Sequence, residues 1–163
     1  MELGARFLAW LGETGLSRAM QGSPWLYPAA ETVHLLGLAL LVGTAAMFDL
    51  RLLGRSSHWS VAEAARSLLP LAHAGLVVAT ASGLALFAAD PTAMWANPAF
   101  RAKLVLLVLA GLNAAAFHAW PFRSVAGWDA ETATPAAART AALVSLVLWA
   151  SIVAAGRLIG YLE

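Results

Sequence analysis

Ala29–Phe48 reads AAETVHLLGLALLVGTAAMF, an apolar stretch with a single acidic residue, Glu31, and a single histidine, His34. A helix crosses the apolar core of a bilayer with about 20 residues, at a rise of about 1.5 Å per residue. Pro24 and Pro28 precede the stretch, and proline is favoured in the first turn of a helix. We therefore interpret Ala29–Phe48 as a transmembrane helix.

Three further apolar stretches are long enough to span a bilayer, and helix-start signals precede each of them. Ser60 and Glu63 have the spacing of a capping box ahead of the second span. Asn-Pro and Thr-Pro pairs, at residues 97–98 and 134–135, indicate the starts of the third and fourth helices. The predicted spans are 29–48, 68–88, 101–120 and 141–161.

The composition of the whole chain agrees with a membrane protein. Of its 163 residues, 61% are hydrophobic and only 12% are charged, whereas a soluble domain is about half apolar and about a quarter charged. So small a chain has too little interior to hide that many apolar side chains from water. The sequence predicts an all-α fold, an up-and-down four-helix membrane bundle that forms a single transmembrane domain over residues 1–163.

The first residues predict an additional short helix. Met1–Met20 carries Glu2 and Arg6 among apolar side chains at helical spacing, which is typical of an amphipathic helix on the membrane surface or at the end of a bundle, and not of a signal peptide. With four spans, both termini lie at one end of the bundle, here named side A. The 49–67 and 121–140 loops lie at the other end, side B.

Each predicted span also contains small residues four positions apart, which let helix backbones approach closely in lipid. They predict these packing faces: Ala39/Gly43, Ala79/Gly83, Gly111/Ala115 and Gly156/Gly160.

Five polar residues are expected near side A, where ionisable side chains inside a span are candidates for function. Glu31 and His34 lie one helical turn apart, the spacing with which two side chains bind one metal ion. Arg101, Lys103 and Arg157 lie at the same end. One hypothesis is a polar pocket for a quinone headgroup, an anion or a metal ion. The alternative is a structural ion pair between Glu31 and Arg157.

Two histidines are expected near side B. His73 and His118 lie in different spans at one depth, as the axial ligands of a b-type haem must. Alternatively, each ring binds a backbone carbonyl or reaches the interface. Asn113 is expected to make an interhelical hydrogen bond. Ser82 is expected to have no histidine partner at its depth, and His58 is interpreted as a solvated loop residue.

Several classes of function are excluded or disfavoured. The chain has no cysteine, which excludes disulfides, thiolate metal sites and covalent c-type haem. The net charge of +1 gives no polybasic signal for nucleic acid. No nucleophile–base pair, phosphate loop or paired-carboxylate site is recognisable, so whether the chain is an enzyme stays open.

Four segments resemble a family of small bacterial four-helix integral membrane proteins that is known as a domain of unknown function. They are Glu31–Gly43, Asp49–Arg51, Asn97–Arg101 and Phe117–His118. More distantly, the histidine followed by Leu-Leu-Gly is similar to the copper-resistance D membrane domain and to b-type cytochrome bundles. The resemblance implies a multi-pass protein of the bacterial inner (cytoplasmic) membrane.

Three functions are then expected. The first is a b-type-haem or quinone-linked electron-transfer subunit, with haem b, a quinone or a redox protein as partner. The second is transport or binding of copper or another cation through Glu31, His34 and His118. The third is a structural subunit of a membrane complex.

Overall fold

The protein was analysed as a computed structural model that describes residues 2–55, 59–128 and 134–162, apart from the side chain at position 126. All regular structure in these residues is helical. The helices are α1 (Glu2–Gly12), α2 (Gly15–Gly22), α3 (Leu26–Leu52), α4 (Val61–Ala89), α5 (Pro91–Ala96), α6 (Pro98–Ala119) and α7 (Ala136–Leu158), with short 3-10 helices at Pro121–Gly127 and Ile159–Tyr161.

Four helices are long and apolar enough to cross a membrane, which confirms the predicted number of spans. They cover Leu26–Leu52, Val61–Ala89, Pro98–Ala119 and Ala136–Tyr161. The first helix is longer than predicted, and its extension includes Asp49 and Arg51. Both side chains are buried, with 6% and 5% of their surface exposed. These two polar residues therefore lie inside the bundle.

Helix caps explain most of the element starts. Ser60 and Glu63 form the predicted capping box of α4. Asn97 caps α6 with Pro98 at the first helical position, also as predicted. Helix α7 begins at Ala136, and its N-cap residue, Pro135, makes no side-chain hydrogen bond to the helix.

The amphipathic segment at the start of the chain forms two helices instead of one. The Thr14 hydroxyl accepts a hydrogen bond from the Ser17 amide at 3.3 Å and so starts α2. The unpredicted helix α5 arises in the same way, because the Asp90 carboxylate accepts from the Ala93 amide at 3.0 Å. Asp90, directly after the end of α4, thus begins a further helix.

The α3–α4 pair packs backbone against backbone. A Cβ atom added to Gly75 would lie 2.6 Å from the backbone nitrogen of Leu41, and one added to Gly37 would lie 2.8 Å from that of Ala79. The prediction that Gly43 marks the packing face of α3 is wrong, because nothing lies within 4 Å of its added Cβ. The Ala79/Gly83 face of α4 is confirmed by the contacts of both residues with α3.

The α6–α7 pair is joined differently, through side chains that bind backbone carbonyls. Asn97 Nδ2 donates to the Ile159 carbonyl at 3.0 Å, and Asn113 Nδ2 donates to the Ala141 carbonyl at 3.0 Å. The interhelical hydrogen bond predicted for Asn113 is confirmed. The Gly111/Ala115 packing face is wrong, since Gly111 has no neighbour within 4 Å of an added Cβ.

Contacts between the pairs establish the up-and-down arrangement. At side A, Phe87 of α4 stacks on Phe100 of α6 at 5.3 Å. At the same end, Gln21 of α2 donates to the Ala89 carbonyl of α4 at 2.7 Å, which joins the N-terminal segment to the first pair. At side B, the rings of Phe48 and Phe117 meet edge to face at 6.0 Å. These two phenylalanines belong to the main buried core, which also contains Leu52, Val61, Ala64, Ala65, Leu68, Trp128, Ala138 and Ala142.

Candidate functional site

His34 lies at the α3–α4 contact near side A. Its Nδ1 is 2.9 Å from the carbonyl oxygen of Ala79 and 3.2 Å from the hydroxyl of Ser82. Ser82 itself donates to the Val78 carbonyl at 2.6 Å. The expectation that Ser82 lacks a histidine partner is therefore wrong: the antiparallel register of α3 and α4 brings it to His34.

Gly83 allows the imidazole to take this position. A Cβ atom added there would lie 3.1 Å from His34 Cε1 and 3.4 Å from Nδ1. Because a carbonyl oxygen only accepts, the short contact with Ala79 places the ring proton on Nδ1. His34 Nε2 is then an acceptor, held in a fixed orientation by α4.

Lys103 reaches the same region from α6. Its side chain lies along α7, where a Cβ atom on Gly156 would be 3.4 Å from Nζ and 3.8 Å from Cε. The side chain is largely removed from solvent, and its charge acts on His34. Among the residues that the structure describes, no carboxylate forms an ion pair with it. The charge of Lys103, which has no acidic partner among the described residues, therefore acts on the His34 imidazole.

The other three residues predicted at side A are exposed. Glu31, one turn before His34, acts on it electrostatically, while Arg101 points to the surface. Arg157 donates to the Tyr161 hydroxyl at 2.9 Å and lies over that ring at 5.0 Å. Within the described part of the chain, the alternative of an ion pair between Glu31 and Arg157 is not formed.

At side B, His73 and His118 are near enough for the charge of one to act on the other. Both side chains are exposed on the surface of this chain. The His118 ring lies 5.4 Å from that of Phe117 and 4.9 Å from that of Phe122. The structure places both histidines on the surface of the chain, and haem ligation by them stays a prediction. His58 lies outside the described residues.

Asp49 is the polar residue whose environment the sequence did not reveal. Its side chain is buried on α3, and Oδ2 has no hydrogen-bond partner among the described residues. The hydroxyl of Ser145, on α7, lies beside the carboxyl group. Its position next to Arg51 at the end of an apolar stretch is the usual sign of a solvated helix end, so no sequence signal identified it.

The polar groups at side A are suited to binding a polar ligand. Side A combines a cationic donor, Lys103, with a neutral acceptor, His34, which suits a ligand that both accepts and donates hydrogen bonds. Among the described residues, no group of three or more His, Cys, Asp or Glu side chains is arranged to hold a metal ion.

Comparison with known families assigns the chain to one of them. It belongs to a family of unknown function (DUF6644), whose family model matches residues 7–162. No curated protein and no solved structure matches the sequence.

Proposed function

We propose that this member of the family is a quinone-linked electron-transfer subunit of the membrane, which binds the quinone headgroup between Lys103 and His34. The observation that carries the proposal is the Lys103 ammonium group, largely buried, close to His34, and without an acidic partner among the described residues. An unpaired buried cation is costly, so a ligand that accepts hydrogen bonds from it would offset that cost.

The two side chains match the two forms of the headgroup. A quinone carbonyl oxygen is an acceptor, which the Lys103 ammonium satisfies as a donor. A quinol hydroxyl is a donor, which the free Nε2 of His34 satisfies as an acceptor, since Nδ1 is held by the Ala79 carbonyl at 2.9 Å. The electrons would pass to or from a redox partner protein.

The surroundings also suit a lipid-soluble ligand. Leu35 and Leu36, directly after His34, are 60% and 66% exposed, so this part of α3 faces the bilayer in the isolated chain. A headgroup arriving from the lipid would reach His34 without crossing the aqueous phase. We expect the membrane to be the bacterial inner membrane, where quinones are dissolved.

The same charge argues against a cation at His34. A copper ion bound by Glu31 and His34 would be repelled by the nearby Lys103 ammonium. In most protein sites a transition metal is also bound by more than two protein ligands, and Glu31 and His34 would supply only two. We therefore favour the quinone over the metal ion.

Binding of a short-chain ubiquinone analogue to the purified protein in nanodiscs, followed by calorimetry, tests the proposal. Lys103→Met removes the charge and keeps the length of the side chain. It should raise Kd by at least about tenfold, which corresponds to about 1.4 kcal/mol. Arg101→Met is the matched control, because Arg101 is a cation on the same helix but exposed, and it should leave Kd within about twofold of the original value.

Two results would refute the quinone site: no binding by the unmodified protein, or equal binding by the Lys103→Met and Arg101→Met variants. A structural subunit of a larger complex would give the first result.

A second candidate is haem b bound by His73 of α4 and His118 of α6, and the effect of the His73 charge on His118 favours it. Neutral imidazoles from two helices suit bis-histidine ligation, and the haem would supply one-electron redox chemistry. An absorption spectrum of the purified protein tests for haem directly. The Soret band should disappear in His118→Ala and persist in His34→Ala, and the opposite pattern would reject this assignment.

A further inference from the structure

Asp49 is a buried carboxyl group for which the proposed quinone site has no use. Only 6% of its side chain is exposed, and Oδ2 has no hydrogen-bond partner among the described residues. Along α3 it lies about 22 Å from His34, at a rise of about 1.5 Å per residue. Its role must therefore be explained separately from side A.

No cation compensates the carboxyl group in the described structure. Arg51 is also buried, but residues two apart on a helix do not face each other, and its Nε donates to the Trp59 carbonyl. The charge of His73 acts on His118, and no charged side chain of the described residues is found to act on Asp49. The neutral hydroxyl group of Ser145 lies beside it.

An ionised carboxylate in this position would be an unpaired charge in an apolar interior, which costs several kcal/mol or more. A metal cation that neutralised it would need several oxygen ligands. The described residues offer no cluster of His, Cys, Asp or Glu around it. A proton needs no further ligand, and the resulting hydroxyl group can hydrogen-bond to Ser145.

We propose that Asp49 is an intramembrane proton-binding site, which holds one exchangeable proton and takes no metal ion. Asp49 lies one turn from the side-B end of α3, so exchange would occur with the aqueous phase on that side. The site goes beyond the proposed quinone function and does not depend on it.

Infrared spectroscopy of the protein in lipid vesicles at neutral pH tests this site. A protonated carboxyl group has a C=O stretching band well separated from the bands of carboxylates, and water-exposed carboxyls are ionised at this pH. The unmodified protein should show one such band, and the band should shift after transfer to D2O. Asp49→Asn should abolish it. Asp90→Asn, which changes an exposed residue of the same type, should leave it intact.

A second measurement needs no variant. A hydrophobic carbodiimide, which adds to protonated carboxyls in apolar surroundings, should label Asp49, and a water-soluble carbodiimide should label Asp90 instead; peptide mass spectrometry locates both adducts. The proposal would be overturned if the infrared band were missing or did not shift in D2O. It would also be overturned if the band disappeared when Na+ replaced K+, since Na+ would then bind Asp49 in place of the proton. So would hydrophobic labelling that spares Asp49.

Discussion

The two helix pairs of the bundle are held together by different means. In α3–α4, two glycines place the backbones in direct contact, so that a Cβ atom at Gly75 would lie 2.6 Å from Leu41. In α6–α7, Asn97 and Asn113 join the helices through side-chain hydrogen bonds of 3.0 Å each. The α3–α4 interface depends on glycines, which have no side chain, and the α6–α7 interface depends on side-chain hydrogen-bond donors.

This difference explains where the polar groups can lie. The close α3–α4 contact orients His34 against the Ala79 carbonyl, because little space is left for the ring to move. On α7, Gly156 leaves room that the Lys103 side chain occupies. The candidate quinone site therefore joins a rigid acceptor from the tight pair to a donor from the more open pair.

The largest expected effect tests the backbone contact of the tight pair. Gly75→Ala should destabilise the protein by about 1–3 kcal/mol, because a methyl group there overpacks the interface. Gly111→Ala, with nothing within 4 Å of the new Cβ, should be neutral or stabilise by up to about 1 kcal/mol. Unfolding in mixed micelles, followed by circular dichroism, measures both. Equal effects of the two substitutions would show that α3 and α4 do not pack as described.

The next effect concerns the side-A end of the open pair. Asn97→Ala removes the cap of α6 and the bond to the Ile159 carbonyl, so its expected cost is about 1.5 kcal/mol. Asp90→Ala removes only the cap of the short helix α5 and should cost about 0.5–1 kcal/mol. The same unfolding assay compares them. A cost for Asn97→Ala no larger than that for Asp90→Ala would mean that the interhelical bond contributes nothing.

A smaller effect is expected in the middle of the open pair. Asn113→Leu removes one interhelical hydrogen bond and should cost about 0.6 kcal/mol, since such bonds in membranes are weak. Ser151→Ala is the control, because its hydroxyl donates to Val147 in its own helix at 2.8 Å, and it should have almost no effect. The α6–α7 comparison would need revision if the control cost as much as Asn113→Leu.

The smallest expected effect is the coupling free energy between Glu31 and Arg157, which should be close to zero. Arg157 binds Tyr161 of its own chain segment, so the costs of Glu31→Gln and Arg157→Gln should add within about 0.5 kcal/mol in a double-mutant cycle. A coupling free energy near 2 kcal/mol would instead establish the ion pair between α3 and α7 that the sequence suggests as an alternative.

Particular residues show how far prediction from the sequence extended. The capping box at Ser60 and the Asn-Pro start at Asn97 were predictable, because a cap is formed by residues within one turn of each other. The bond between His34 and Ser82 was missed, because it joins two helices whose relative register no local pattern contains. Of the site residues, His34 and Lys103 could be named in advance, but their proximity could not.

The spans were determined by the sequence alone, because a bilayer imposes a minimum apolar length that can be counted along the chain. The interfaces were decided only by the tertiary structure. Gly37 and Gly75 mark the real contact and Gly43 does not, since small residues occur throughout the chain and only the rotation of each helix selects which of them meet. The burial of Asp49 has the same cause: it depends on which helix face turns inward, and that is a property of the packed bundle.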